Sequence, residues 1–113
     1  MIEINTRIED DITVITVAGE VDASSSIELD QAIADAIETS QKIIVDCAQL
    51  QYISSAGLGV FMSYIQEFEA REVKMVICGL QEKVFNVFQI LGLDQLLNIC
   101  DSLDEAKSLA NEV

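Results

Sequence analysis

Apolar and polar residues alternate over Ile2 to Ile8 (Ile2, Ile4, Ile8) and again over Ile12 to Ala18 (Ile12, Val14, then Ile15, Val17). The acidic group Glu9, Asp10, Asp11 separates the two runs, and a period of two on either side of a polar break predicts a β-hairpin. Gly19 is expected to end the second strand. Asp22 and the serines Ser24, Ser25 and Ser26 then supply helix N-cap chemistry, with Ser25 and Glu28 at capping-box spacing. A first helix is predicted to about Thr39. Leu29, Ile33, Ala36 and Ile37 form its apolar face, and Glu28, Asp35 and Glu38 its solvated one.

The β-branched run from Ile43 to Asp46 reads as a central strand covered on both faces. A second helix repeats apolar residues at Leu58, Phe61, Met62, Ile65 and Phe68, its aromatics expected in the core. Val73 to Cys78 reads as another buried strand ended by Gly79, and Gln81 to Leu91 as a third helix closed by Gly92. Leu96 to Cys100 is a last short strand. Ser102 and Glu105 are spaced as a second capping box, opening a C-terminal helix with Leu103, Ala106 and Leu109 on one face. Strands alternating with helices after an opening hairpin predict an α/β fold in which a mixed sheet carries crossover helices.

Composition narrows the function classes. A chain of 113 residues, half of them apolar, suffices for one domain over 1–113 with its own core. Twenty acidic against six basic side chains give a net charge of −14, which repels nucleic acid and anionic membrane surfaces and favours basic partner surfaces. The longest apolar stretch, Ala56 to Met62, is far shorter than the ~20 residues of a membrane span, and the N-terminus MIEINTRIEDD lacks a basic region followed by an apolar one. A cytoplasmic, monomeric protein is expected. Cys47, Cys78 and Cys100 are widely spaced and odd in number, as befits reduced and mostly buried thiols. The absence of histidine removes Ser-His-Asp and Cys-His nucleophilic pairs and most transition-metal sites. No cofactor, metal or catalytic residue is expected, and the chain reads as a binding protein rather than an enzyme.

The stretch YISSAGLGVFM, Tyr52 to Met62, carries the candidate chemistry. It puts Ser54 and Ser55 at the start of the second helix, where backbone N–H groups lack intrahelical partners and the helix dipole favours an anion. Either serine caps the helix while the other projects its hydroxyl from the first turn. Gly57 and Gly59 leave backbone uncovered for close approach by another protein. Simple capping accounts for the pair of serines, and a regulated phosphoserine is the functional alternative.

YISSAGLGVF, preceded by IIVDCAQL and combined with the early GEVDASSS and the later KVFNVFQILGL, resembles the STAS domain of bacterial anti-sigma factor antagonists over essentially the whole chain. The resemblance implies a four- to five-stranded sheet flanked by about four helices, and a role in partner switching. The unmodified domain would bind an anti-sigma factor that is also a serine kinase, releasing a sigma factor. Phosphorylation of one serine would break the complex, and a metal-dependent serine phosphatase would restore it. By position the modified serine falls on Ser55, with Ser54 the second choice. Asp22, Ser54, Ser55, Gly57, Leu58 and Gly59 are the positions expected at the partner surface, Asp22 also reading as an N-cap of the first helix. Two positions depart from the family pattern: Ser54 stands where aspartate is usual, and Ala56 where serine or threonine is frequent.

Two other readings follow from the same residues. A STAS scaffold of a signalling or lipid-transport assembly would bind its partner without being phosphorylated, and Ser54 in place of aspartate suits it. A receiver-type phosphotransfer protein would use Asp46 as phosphoacceptor. That chemistry needs an acidic pair after the first buried strand and a lysine beyond a later one, whereas Asp10 and Asp11 precede the second hairpin strand and no lysine closely follows Leu96 to Cys100.

Overall fold

A computed structural model describes residues 2–111. The hairpin forms as predicted, from β1 (Ile2–Glu9) and β2 (Ile12–Val21), antiparallel in unbroken register from Ile2 opposite Gly19 to Glu9 opposite Ile12. There follow α1 (Ser26–Thr39), β3 (Lys42–Asp46), β4 (Leu50–Ile53), α2 (Ser55–Ala70), β5 (Lys74–Cys78), α3 (Glu82–Ile90), α4 (Leu93–Leu96), β6 (Asn98–Cys100) and α5 (Leu103–Ala110). The sheet runs β1-β2-β3-β5-β6, parallel beyond the hairpin. This is the expected mixed α/β architecture, with six strands and five helices among the described residues.

β4 is the strand beyond the expected count. It pairs with β2 past the end of β3, where the register shifts between Gly19 and Glu20. Gly19 therefore does not end β2. Its φ of +95°, a conformation glycine adopts at little cost, marks the irregularity at which β2 changes partner, and the strand continues to Val21. At the other end of the chain Gly92 (φ +75°) does close α3, but a single turn, α4, follows it and takes Leu96 out of the last strand.

The main core lies between one sheet face and α1, α2 and α3. Ile15, Val17, Ile43, Val45 and Ile77 from the strands meet Leu29, Ile33, Phe61 and Phe88 from the helices, all essentially inaccessible. Phe61 and Phe88 join α2 to α3 with ring centroids 5.9 Å apart, a tilted pair worth about 0.5–1.5 kcal/mol beyond its buried area. α5 alone covers part of the opposite face, setting Ala106 and Ala110 on Ile12, Val14, Ile44 and Val76. The α2 aromatics Phe61 and Phe68 are buried as expected, whereas Met62, which shares their apolar period, is half exposed.

Of the two predicted capping boxes, one does not form and the other forms in part. Ser25 occupies the N-cap of α1, but its hydroxyl makes no cap to the helix; it accepts from Asp22 N (2.8 Å) and bonds the Asp22 carboxylate. At α5 the Ser102 hydroxyl does accept from Glu105 N (3.1 Å), and the Glu105 carboxylate reaches back one residue further, to Asp101 N (3.1 Å).

Candidate site at the start of α2

Val21 and Ile53 are paired residues at the ends of β2 and β4, and the amide of Ser54 donates to the carbonyl of Val21 at 2.8 Å. That bond ties the end of β2 to the start of α2, one residue before Asp22. Ser54 is extended (φ −85°, ψ 172°), which makes it the N-cap, and its hydroxyl accepts from Gly57 N over a long 3.4 Å. Ser55 is the first helical residue and exposed. The choice left open by the sequence thus resolves: Ser54 is occupied with the helix, and Ser55 projects.

Charge sets this helix start apart. α1 carries Glu28 in its first turn, α3 Glu82, α4 Asp94 and α5 both Asp104 and Glu105, whereas α2 carries no acidic residue there. In a chain of net charge −14 the positive end of this dipole is left without side-chain compensation from its own first turn. Asp22 follows Val21, whose carbonyl accepts from Ser54 N. Hydrogen bonds from the Ser25 backbone, then the Ser24 and Ser25 hydroxyls, lower its pKa to about 2, so it is ionised at any physiological pH. Those bonds organise the turn before α1; Asp22 is not the N-cap of that helix, a place taken by Ser25.

The expected partner positions divide. Asp22 and Ser55 are exposed, Ser54 and Gly59 half-exposed, and Gly57 and Leu58 buried. Gly57 is an internal spacer: a Cβ there would lie 2.6 Å from Ile53 Cγ1 and 2.7 Å from Val21 Cγ1, so only glycine lets α2 rest on the ends of β2 and β4. Gly59 meets nothing within 4 Å and serves no packing purpose. From Ser55 it continues, at helical spacing, to Met62 and Gln66, giving an exposed stripe without a charged side chain over the first three turns. Tyr52 of β4, half exposed, precedes it. Neither Tyr52 nor Met62 was expected in the site; the spacing of Ser55, Gly59 and Met62 at i, i+4 and i+7 was the available signal.

Asp46 ends β3 and accepts from Ala48 N at 3.1 Å, closing the turn beyond the strand. Asp10 and Asp11 sit in the β1–β2 hairpin turn, Asp10 with φ +58°, and Asp11 pairs with Lys42 at the opening residue of β3. They lie by the wrong end of β3 to share a site with Asp46, so the geometry does not support a receiver centre. The three cysteines are free, and burial pushes the Cys47 and Cys78 thiols up, Cys78 to about 12. No helix among the described residues is long and apolar enough to cross a membrane.

Comparison with known proteins gives a consistent result. The STAS domain family matches residues 3–106. An anti-sigma-B factor antagonist of Listeria monocytogenes is 32% identical over 100 residues, spanning 87% of this chain and 86% of the relative. The crystal structure of an anti-sigma factor antagonist from Mycobacterium paratuberculosis superposes with a TM-score of 0.91 at 19% identity, covering 99% of this chain and 96% of that one. The Bacillus cell fate determinant SpoIIAA in its phosphorylated form superposes with a TM-score of 0.73 at 22% identity, covering 98% of this chain and all of that one.

Proposed function

We propose that this chain, which belongs to the STAS domain family, is an anti-sigma factor antagonist whose binding is switched off by phosphorylation of Ser55. The unmodified protein would bind an anti-sigma factor with serine kinase activity through Asp22, Ser54, Ser55 and the uncharged stripe of α2. The observation that carries this reading is the exposed Ser55 on the one helix start, among those described, that lacks an acidic residue in its first turn.

The physical consequences follow from that geometry. A phosphate on Ser55 adds about 1.5–2 negative charges where unpartnered N–H groups favour them, so α2 stays folded and the effect falls on the interface. Bulk, desolvation and repulsion from partner carboxylates act there together. Loss of a well-matched central contact commonly costs about 2 kcal/mol or more, roughly thirtyfold in affinity. A serine phosphatase would reverse the change, because Ser55 is exposed on the domain surface.

Calorimetric titration of the cognate anti-sigma factor tests the proposal. Ser55→Ala binds like the unmodified protein, and Ser55→Asp folds but binds weakly. Equal affinity of Ser55→Asp and wild type would refute the switch. The second reading, a STAS scaffold that is never phosphorylated, is favoured by Ser54 in place of aspartate and predicts that a purified cognate kinase labels neither serine.

A further inference from the structure

β1 is an edge strand, paired among the described residues with β2 alone. Its outer edge presents a row of backbone N–H and C=O groups that another strand can pair with, a hazard that folds commonly blunt with proline, a bulge or a very short strand. β1 has none of these: it is eight residues long and in continuous register with β2, and the exposed charges that also blunt edges, Glu3 and Arg7, are here of opposite sign.

Its side chains are self-complementary. Ile2 and Ile4 turn toward the main core, and Ile8, on the same face, lies 69% exposed beside a hollow of about 280 Å³ lined by Thr6, Thr13, Ala32 and Ala36. Glu3, Asn5 and Arg7 alternate on the opposite face and are exposed. A two-fold axis normal to the sheet at Asn5 places residue 3 opposite residue 7, 4 opposite 6 and 2 opposite 8. Each Glu3 then faces Arg7 of the second copy, and each exposed Ile8 faces Ile2, at the Cβ separations of about 4.5–5.5 Å where cross-strand pairs interact. Sliding by one step of the pleat in one direction sets Glu3 against Glu9, and in the other sets Glu3 against Asn5 and leaves Arg7 without a carboxylate opposite. One register alone matches both charge and apolar surface.

We propose that β1 is a homodimerisation edge, two copies pairing antiparallel about Asn5 to continue the sheet through both chains. Arg7 already donates Nε to Glu9 (2.6 Å) and Nη1 to Thr16 (3.2 Å), and Glu3 accepts from Asn5 Nδ2 (3.4 Å). These contacts hold the guanidinium along the strand and leave further N–H groups for the second copy. β4, which leads into Ser55, lies on the other side of β2, so the dimer keeps both Ser55 sites open and offers them together. One strand edge is a small interface, which makes the dimer weak and reversible. Two chains of charge −14 also repel at long range, and salt screens that repulsion more than the close Glu3–Arg7 pairs. Association therefore strengthens with added salt. The proposal departs from the monomer expected from the sequence and does not depend on phosphorylation.

Sedimentation velocity of the full chain from about 10 µM to about 1 mM, at low and moderate salt, tests it against the concentration range of weak interfaces. The wild type shifts toward dimer with concentration and with salt. Glu3→Arg and Arg7→Glu are each monomeric, since each sets like charges opposite one another, yet an equimolar mixture of the two forms a heterodimer. Asn5→Lys places like charges on the axis without touching the ion pairs and is monomeric too. Far-ultraviolet circular dichroism confirms that each variant is folded. A wild type that stays monomeric to about 1 mM, a mixture that fails to associate while the wild type dimerises, or a folded Asn5→Lys that dimerises like wild type overturns the proposal.

Discussion

α2 and α5 both begin at a serine N-cap in extended conformation, and they treat the end of the helix differently. Ser102 caps α5 at 3.1 Å, the Glu105 carboxylate returns to Asp101 N, and Asp104 and Glu105 lie in the first turn. That start is electrostatically complete. Ser54 caps α2 at 3.4 Å and is followed by Ser55, Ala56 and Gly57, with no acid in the turn. The same residue type at the same position thus serves stability in one helix and leaves a vacancy for negative charge in the other. Under the proposed function, a phosphate on Ser55 would be the anion that fills it.

The largest effect that would break this contrast is at Gly57, where α2 meets the sheet. Gly57→Ala forces a Cβ to within 2.6–2.7 Å of Ile53 and Val21 and should cost about 1–3 kcal/mol of stability by overpacking, read from urea unfolding. Gly59→Ala, with open space around it, should instead stabilise by about 0.5–1 kcal/mol through helix propensity. If that variant also weakens partner binding, Gly59 is at the interface.

The two caps give the next measurement. Ser102→Ala should cost about 1 kcal/mol, and Ser54→Ala less, because its hydrogen bond is the longer. Equal losses would erase the difference between the helix starts. Smaller again is the effect of adding charge: Ser55→Asp should raise stability by about 0.3–1 kcal/mol at low ionic strength, an increment that salt reduces. Loss of stability in that variant would mean the α2 terminus is already compensated.

Acid titration sharpens the role of Asp22. Its pKa is lowered from the ordinary 3.8 to about 2, so its hydrogen bonds contribute stability that is fully present above pH ~4 and lost as pH falls through about 2. Thermal unfolding of Asp22→Asn against wild type should show the difference above that window and its disappearance below it. A difference that persists at the lowest pH would place the contribution of Asp22 elsewhere than in its charge.

Much of this was legible in the chain. Period-two alternation located the hairpin, β-branched runs located β3 and β5, and helical periodicity located α1, α2, α3 and α5. β4 was not legible because its four residues read buried, exposed, exposed, buried, a pattern that alternates with nothing. Its existence depends on a shift of partner at Gly19, which no local window contains. In sequence Gly57 reads as a place for close approach from outside, and its true neighbours, Ile53 and Val21, are brought together only by the β2–β4 pairing. Met62 keeps the apolar period and still faces outward, because it lies two helical turns from exposed Ser55 on the same side of α2. The serines themselves were legible as cap chemistry; which of them caps rests on the extended backbone of Ser54, whose N–H is bonded to Val21 O.

The most direct test of the account is to incubate the wild-type, Ser54→Ala and Ser55→Ala proteins with the purified cognate anti-sigma kinase and ATP, then map phosphate by fragment mass spectrometry. Modification at Ser55 puts one phosphate on that residue in wild type and in Ser54→Ala, and none in Ser55→Ala. Phosphate on Ser54, or its absence from both serines of the wild type, would contradict it.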